Sequence, residues 1–339
     1  MQILTLQTLE AIRSRPQRPA DFAAFWQRTR GELALVPLEW ERIPSAQPAP
    51  DGWRIDWLRF SSWGDTLVHG WLAVPDGMAQ AQTLAGYLWL PGYSWGSPPP
   101  GPESLYPGTV TFGLNLHGNL PDTPYTHPAA ENREYVTQGI DSPETYIYRG
   151  LVCHILRALD VLAAQPEVGA GKLIVGGMSQ GGGLALIASA LAPQVRLCLA
   201  DMPWLCDLDR ALSLIDRARY ARLPHLRIPD GRALVEDYAN AHPERRASIF
   251  QTYRYFDPLS HAQDIQCPTQ VSAGGRDPSC RPPTVYAVYN ALACPKEMLY
   301  LPNTGHEIVP AQHDFHLKWV SQLQHTTQGE HLWPSSILD

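Results

Sequence analysis

The chain has 339 residues, of which 44% are hydrophobic, and this length and apolar content allow one large domain with a sizeable buried core. The formal net charge of −7 and the lack of a Lys/Arg block argue against a nucleic-acid partner, and the longest apolar runs are too short to span a bilayer. The N-terminus lacks the pattern of an export signal and the six cysteines form no CxxC pair, so we expect a cytoplasmic protein with buried free thiols.

The N-terminal residues 1–35 are predicted to form a helical extension. Phe22, Phe25 and Trp26 fall on one face of a helix, and Asp21 is a typical residue at a helix start. We therefore expect this face to pack against the rest of the domain.

The central part of the chain has the pattern of a mostly parallel sheet. From about residue 37 to 75, apolar and polar residues alternate around Gly64-Asp65, which predicts an antiparallel hairpin at a sheet edge. Beyond Leu84 the apolar runs are short and continuous, as in strands covered on both faces by helices. These runs are AGYLWLPG, VTFGLNLHG, KLIVGG, VRLCLA, TQVSAGG and EMLYLP.

Two further segments are predicted to be helical. DSPETYIYRGLVCHILRALDVLAAQPEV keeps one apolar stripe, and we expect its helix to begin with Ser142 as N-cap and Pro143 at the first helical position. The stretch 207–264 contains no obvious strand and is mostly helical in pattern. We interpret it as a lid over a site, inserted within a single domain, 1–339.

The run LIVGGMSQGGGLAL contains a serine between two glycines, placed after a strand and before a helix. Gly177, Ser179 and Gly181 thereby form the pattern of a nucleophile elbow, in which a tight turn projects the serine hydroxyl above the sheet. The unpaired N–H groups and the dipole of the following helix would stabilise an oxyanion next to the serine. An incidental glycine-rich turn is the alternative.

A serine nucleophile needs a base and an orienting acid, and both follow later predicted strands. Asp277 comes after TQVSAGG and His306 comes after EMLYLP, so both would lie at the carboxyl edge of the sheet. Asp201, at the end of VRLCLA, is the alternative acid. Three other histidines are assigned no chemistry: His69, His154 and His261.

An oxyanion requires two donors, of which the elbow supplies the backbone N–H of Gln180. The second is expected from the loop after AGYLWL, which makes the backbone N–H of Tyr93 the first candidate. NLHGN, 115–119, resembles the His-Gly oxyanion loop of lipases but follows a different strand, so it is the alternative. The sequence has no HExxH motif or tight His/Cys/Asp cluster, and no metal or other cofactor is expected.

Long segments of the chain also resemble one family. The elbow in the form GxSQGG, the sequence DMPWLCDLDRAL and the run RDPSCRPPTVYAVYNALACPKEMLYLPNTGHE are similar to the acetyl xylan esterase / cephalosporin C deacetylase family, carbohydrate esterase family seven, from about residue 20 to 320. The resemblance implies an α/β-hydrolase fold with a mostly parallel central sheet flanked by helices, and no cofactor. It also implies Ser179 as nucleophile, Asp277 as acid, His306 as base and oxyanion donors at Tyr93 and Gln180.

The chain departs from the family pattern at several positions. The family's Arg-Gly-Gln motif is replaced by His117-Gly118-Asn119, which removes a guanidinium fork from the surroundings of the site. By analogy with the family, Trp204 and Ser279 border the acyl pocket, where the family has different side chains. Trp95 would add a further ring to the mouth of the site.

The expected function is a serine carboxylesterase that removes short acyl groups, chiefly acetyl, from acetylated sugars, xylo-oligosaccharides or cephalosporin-type acetates. The resemblance further implies a ring-like homo-oligomer, commonly a hexamer. The alternatives are another α/β-hydrolase, such as a thioesterase, lactonase or peptidase, and a non-catalytic protein descended from an esterase.

Overall fold

A computed structural model describes residues 4–77, 83–93, 98–101, 104–116, 135–215 and 231–326 of the chain. In these ranges nine strands form one sheet, in the order β1-β2-β3-β5-β4-β6-β7-β8-β9. The strands are β1 Trp40–Pro44, β2 Trp53–Ser62, β3 Thr66–Pro75, β4 Leu84–Leu90, β5 Thr109–Asn115, β6 Val168–Met178, β7 Val195–Asp201, β8 Thr269–Gly274 and β9 Lys296–Leu301.

The pairing of the strands matches the two predicted patterns. The strands β1, β2, β3 and β5 pair antiparallel, whereas β5-β4-β6-β7-β8-β9 pair parallel. The predicted hairpin joins β2 to β3 through Gly64 and Asp65, both left-handed, with φ of 70° and 55°. The segment 37–75 lies at the edge of the sheet as predicted, but it contributes a third strand, because the short strand β1 pairs with β2 and is the outermost strand.

Helices cover both faces of the sheet, and each face has its own core. The helix Pro310–His325 packs on one face through Trp319, Val320 and Leu323. The helices at Ile147–Ala163 and Gln180–Leu191 belong to the core on the other face. In chain order the helices are α1 Leu6–Glu10, α2 Phe22–Ala34, α3 Ile147–Ala163, α4 Gln180–Leu191, α5 Leu208–Ser213, α6 Gly231–Ala241, α7 Arg246–Arg254, α8 Pro258–His261, α9 Pro282–Ala291 and α10 Pro310–His325.

The N-terminal extension is helical only in part. A non-helical stretch separates α1 from α2 and contains Pro16 and Pro19, which have no amide N–H to continue a helix. Phe22, Phe25 and Trp26 are buried, as predicted from their shared face.

The helix α3 begins at Ile147 rather than next to Ser142 and Pro143. The carbonyl of Ser142 accepts from the amides of Thr145 and Tyr146, which closes a turn at this point. Tyr146 is then extended, with φ −63° and ψ 128°, so the helix can start only after it. The predicted start was therefore too early, although the apolar stripe of the helix was correct.

The segment between β7 and β8 contains α5 to α8 and, over its described residues, no strand, as predicted. All six cysteines are free thiols, five of them buried. Among the described residues, no helix is both long and apolar enough to cross a membrane.

Candidate active site

Ser179 lies in the turn between β6 and α4, with a backbone conformation that a non-glycine residue rarely adopts. Its φ is 60° and its ψ is −120°. The amide of Ser179 donates to the carbonyl of Asp201 at 2.9 Å, and its carbonyl accepts from the amides of Gly183 and Trp204 at 3.0 and 2.9 Å. These three hydrogen bonds fix the turn. The serine is half-exposed above the carboxyl edge of the sheet.

The glycines around Ser179 are required by close backbone contacts. A Cβ on Gly177 would lie 2.3 Å from the carbonyl oxygen of Leu90, and one on Gly181 would lie 2.2 Å from the same atom. A Cβ on Gly183 would lie 2.2 Å from the carbonyl oxygen of Trp204. The spacing that identified the elbow therefore reflects the close packing of α4 against the ends of neighbouring segments.

We expect Gly181→Ala to lower the free energy of unfolding by at least about 2 kcal/mol, because the new Cβ overlaps backbone that cannot rotate away. Urea denaturation of the purified variant measures this. Gly31→Ala in α2 is the matched control: nothing lies within 4 Å of its new Cβ, so it should raise stability by about 0.5–1 kcal/mol. Equal effects of the two substitutions would contradict the packing argument.

Asp277 and His306 form a close pair at the ends of β8 and β9. Asp277 is fully buried, and its Oδ2 lies 2.7 Å from Nδ1 of His306. Its Oδ1 accepts from the amides of Ser279 and Cys280 at 2.7 and 2.8 Å. The carboxylate is therefore fixed in one orientation and holds the imidazole by Nδ1, which leaves Nε2 for another partner.

Cys280 is a neighbour of this pair that sequence reasoning did not identify. Its Sγ, the Asp277 carboxylate and an imidazole nitrogen of His306 lie within 4.8 Å of one another, a spacing that also suits a metal ion. Burial lowers the pKa of His306, but its contacts with Cys280 and Asp277 outweigh burial, so the pKa is raised above its ordinary 6.5. Burial raises the pKa of the Cys280 thiol. This cluster has no sequence signature, because Cys280 and His306 are 26 positions apart and only the fold brings them together.

Asp201, the alternative acid, contacts a different histidine. Its Oδ2 lies 3.0 Å from Nε2 of His316, and its Oδ1 accepts from the hydroxyl of Ser272 at 2.6 Å. Its backbone carbonyl binds the amide of Ser179. Asp201 therefore fixes the backbone of the elbow through its carbonyl, whereas Asp277 is the carboxylate that contacts His306.

The two candidate oxyanion donors lie on segments that pack against each other. Gln180 is the first residue of α4, and the Leu90 carbonyl before Tyr93 contacts the first turn of the same helix at Gly181. The side chain of Gln180 is buried and accepts from the hydroxyls of Tyr135 and Tyr148 at 2.8 and 2.6 Å. These tyrosines hold Gln180 in place and were not anticipated.

The alternative oxyanion loop follows β5, which β4 separates from β6 in the sheet. This position is one strand further from the elbow than the loop that carries Tyr93. The central residues of that loop are also the ones that differ from the family's Arg-Gly-Gln motif. They are His117, Gly118 and Asn119, and they lie outside the described residues, as does Trp95.

Trp204 and Ser279 line one small concavity beside the elbow. The amide of Trp204 binds the carbonyl of Ser179, and its ring lies 5.4 Å from the ring of Tyr93. Gly231, the first residue of α6, packs against the Trp204 ring, since a Cβ there would lie 2.6 Å from it. The structure thus brings together the two residues expected near an acyl pocket.

The other histidines have structural partners, as expected. His154 Nδ1 lies 2.8 Å from the hydroxyl of Ser62, and His261 Nε2 lies 2.9 Å from the carbonyl of Tyr255. His69 Nε2 lies 3.1 Å from the amide nitrogen of Asn115. All three are buried.

Comparison with known proteins identifies the chain's relatives. The family model described as acetyl xylan esterase (AXE1) matches residues 1–323. Acetyl esterase Axe7A of Xylanibacter ruminicola is 26% identical over 306 residues, which are 88% of this chain and 65% of that protein. The chain therefore spans somewhat less than two thirds of that relative.

Two solved structures have the same fold over nearly the whole chain. An acetyl xylan esterase from Paenibacillus sp. R4 has a TM-score of 0.81 and 24% identity, covering 94% of this chain and 99% of that one. Acetyl xylan esterase 1 from Thermoanaerobacterium sp. JW/SL YS485 has a TM-score of 0.76 and 23% identity, with the same coverages. These similarities confirm the α/β-hydrolase fold.

Proposed function

The chain belongs to the acetyl xylan esterase family of carboxylic ester hydrolases, and we propose that it removes acetyl and other short acyl groups from acetylated sugars, xylo-oligosaccharides or cephalosporin-type acetates by way of an acyl-enzyme. The observation that carries the proposal is the position of three groups at the carboxyl ends of the parallel strands β6, β8 and β9. A strained Ser179 lies in the turn immediately before α4, and a buried Asp277 is bound to His306 on the loops after β8 and β9.

In the proposed mechanism, His306 takes the proton of Ser179 as the serine oxygen attacks the ester carbonyl. The backbone N–H groups of Tyr93 and Gln180 bind the oxyanion. His306 then gives its proton to the leaving alcohol, and water repeats the sequence on the acyl-enzyme. Asp277 stays ionised and keeps the proton of the neutral imidazole on Nδ1, so that Nε2 can act as the base.

Acyl selectivity is assigned to the concavity between Trp204 and Ser279. The lid proposed for 207–264 forms one of its walls, which is supported by the contact of Gly231 with Trp204. The guanidinium of Arg232, which follows Gly231 in α6, donates to the carbonyl of Pro278, next to Asp277, at 3.3 Å. The lid is thus linked to the loop that carries the proposed acid. The large Trp204 ring favours short acyl chains.

The proposal is tested by the hydrolysis of p-nitrophenyl esters from acetyl to octanoyl. We expect kcat/KM to be highest for acetyl and to fall by about tenfold or more by octanoyl, because the six additional methylenes collide with the Trp204 ring. Stoichiometric labelling of Ser179 by an active-site phosphonate is expected in the same preparation. Absence of both labelling and turnover would favour the non-catalytic alternative, and a preference for lactone or peptide substrates would favour another hydrolase.

The raised pKa of His306 sets the expected pH dependence. Only the neutral imidazole can accept the proton of Ser179, so activity is lost as the pH falls through the pKa of His306. Because that pKa is raised, the acid limb of kcat/KM should lie above 6.5, the ordinary value for histidine. A pH profile of p-nitrophenyl acetate hydrolysis measures this limb. A midpoint below 6.5 would contradict the assigned contact with Asp277.

We also propose that the protein is a cytoplasmic homo-oligomer, a hexamer by resemblance to its family. The free state of its six cysteines supports a reducing compartment. Light scattering at micromolar protein concentration tests the assembly, and a monomer would contradict it.

A further inference from the structure

A cavity of about 290 Å³ lies behind the elbow, between the sheet and the start of α10. Its floor consists of the rings of Tyr87, Trp89 and Tyr106, which belong to the core on the α10 face of the sheet. Gly177 and Met178, the two residues before Ser179, also line it. The cavity is a different space from the concavity next to Trp204.

Two hydrogen-bond donors in the cavity have no partner in the described part of the chain. The side chains of Tyr87 and Tyr106 are 3% and 1% exposed, yet neither hydroxyl bonds to any described residue. Burial, and secondly the field of nearby groups including Asp201, raises the pKa of both phenols far above 10, so they remain protonated. Each hydroxyl is a donor that an acceptor oxygen of a ligand in the cavity would bind.

The charges around the cavity exclude an anionic ligand. Among the described residues, its lining contains the carboxylates of Asp201 and Asp314, the imidazole of His313 and no Lys or Arg. Asp201 already accepts one bond from Ser272 and contacts His316, but each carboxylate oxygen can accept a second bond. A bare cation would leave the two tyrosine hydroxyls without acceptors. The site therefore favours a neutral ligand that both donates and accepts hydrogen bonds.

We propose that this cavity binds a single neutral polyhydroxylated ring, such as a pyranose sugar. The volume is at the lower end of the ~300–1,000 Å³ of typical ligand pockets, which suits one small ring and excludes a chain. Hydroxyl groups of the sugar pair with Tyr87, Tyr106 and Asp201, and its C–H face packs on Trp89. The proposal does not depend on the esterase mechanism, because none of these four side chains takes part in it.

The test is calorimetric titration of D-xylose, a compact neutral pyranose, into the Ser179→Ala protein, so that turnover plays no part. We expect a dissociation constant on the order of 1 mM. Tyr87→Phe and Tyr106→Phe remove only the hydroxyls, and each should weaken binding by about fivefold to tenfold. D-xylonate, an open-chain anion of similar size, lacks both the ring and the neutral charge and should bind at least about tenfold more weakly than D-xylose.

Val309→Trp provides a second, independent variant, because Val309 lines the cavity and is half-exposed. We expect the larger ring to fill the cavity and abolish binding while the melting temperature stays within the range of the parent protein. The proposal is overturned if D-xylose does not bind, if binding is unchanged in the tyrosine and Val309 variants, or if D-xylonate binds equally well. Failure here with an active esterase would leave the proposed function intact.

Discussion

Replacement of Ser179 by alanine should lower kcat for p-nitrophenyl acetate by about 10⁶-fold, the loss expected when a nucleophile is removed from an acyl-enzyme mechanism. The backbone of the elbow is held by the carbonyl of Asp201 and the amides of Gly183 and Trp204, none of which involves the hydroxyl. The fold should therefore persist, and the loss should be confined to kcat. Steady-state kinetics together with a thermal unfolding curve would measure both.

A matched control, Ser189, lies in α4. Ser189 is 6% exposed, and its hydroxyl donates to the carbonyl of Ala185 at 2.8 Å, within α4. Ser189→Ala also removes a serine hydroxyl, from the helix that follows Ser179, but should leave kcat unchanged. If Ser179→Ala retained substantial activity while phosphonate labelling moved to another residue, the assignment of the nucleophile would be wrong.

The parts of the fold that the sequence predicted correctly are those set by local pattern. Continuous apolar runs placed β4 to β9, and β-branched residues followed by glycines placed the elbow, because each of these signals acts over a few residues. The start of α3 was wrong since Ser142 can cap a helix or close a turn with equal ease, and the contacts of Tyr146 decide between the two. The edge strand β1 was missed because its five residues, WERIP, do not alternate between apolar and polar side chains, and its two large apolar side chains are exposed.

The parts of the candidate site that were missed all depend on long-range contacts. Cys280 is close to Asp277 in sequence, but its approach to His306 requires β8 and β9 to pair. The hydroxyls that donate to the Gln180 side chain belong to Tyr135 and Tyr148, which are 45 and 32 positions away in sequence. The choice between Asp201 and Asp277 as acid also depended on which histidine each one reaches, and spacing along the chain contains no such information.

Asp277→Asn should lower kcat by ~10⁴-fold while leaving the structure of the site nearly unchanged. The amides of Ser279 and Cys280 both donate to Oδ1, so the asparagine must keep its oxygen at that position and turn its NH₂ group toward His306. An NH₂ group facing Nδ1 holds the imidazole in the tautomer with its proton on Nε2. That tautomer cannot accept the proton of Ser179.

Two further variants make the Asp277 result specific. Asp264→Asn should leave kcat unchanged, because its carboxylate is half-exposed and pairs with Arg18 rather than with a residue of the proposed site. Asp201→Asn distinguishes the two candidate acids: since Asp201 contacts His316 rather than His306, its substitution should lower kcat much less than Asp277→Asn. The residual activity of Asp277→Asn should also show its acid limb at lower pH, because Cys280 and Asp277 together raise the pKa of His306 and the second of these contacts has lost its charge. A larger loss of kcat in Asp201→Asn, with an unshifted pH limb in Asp277→Asn, would transfer the role of the acid to Asp201.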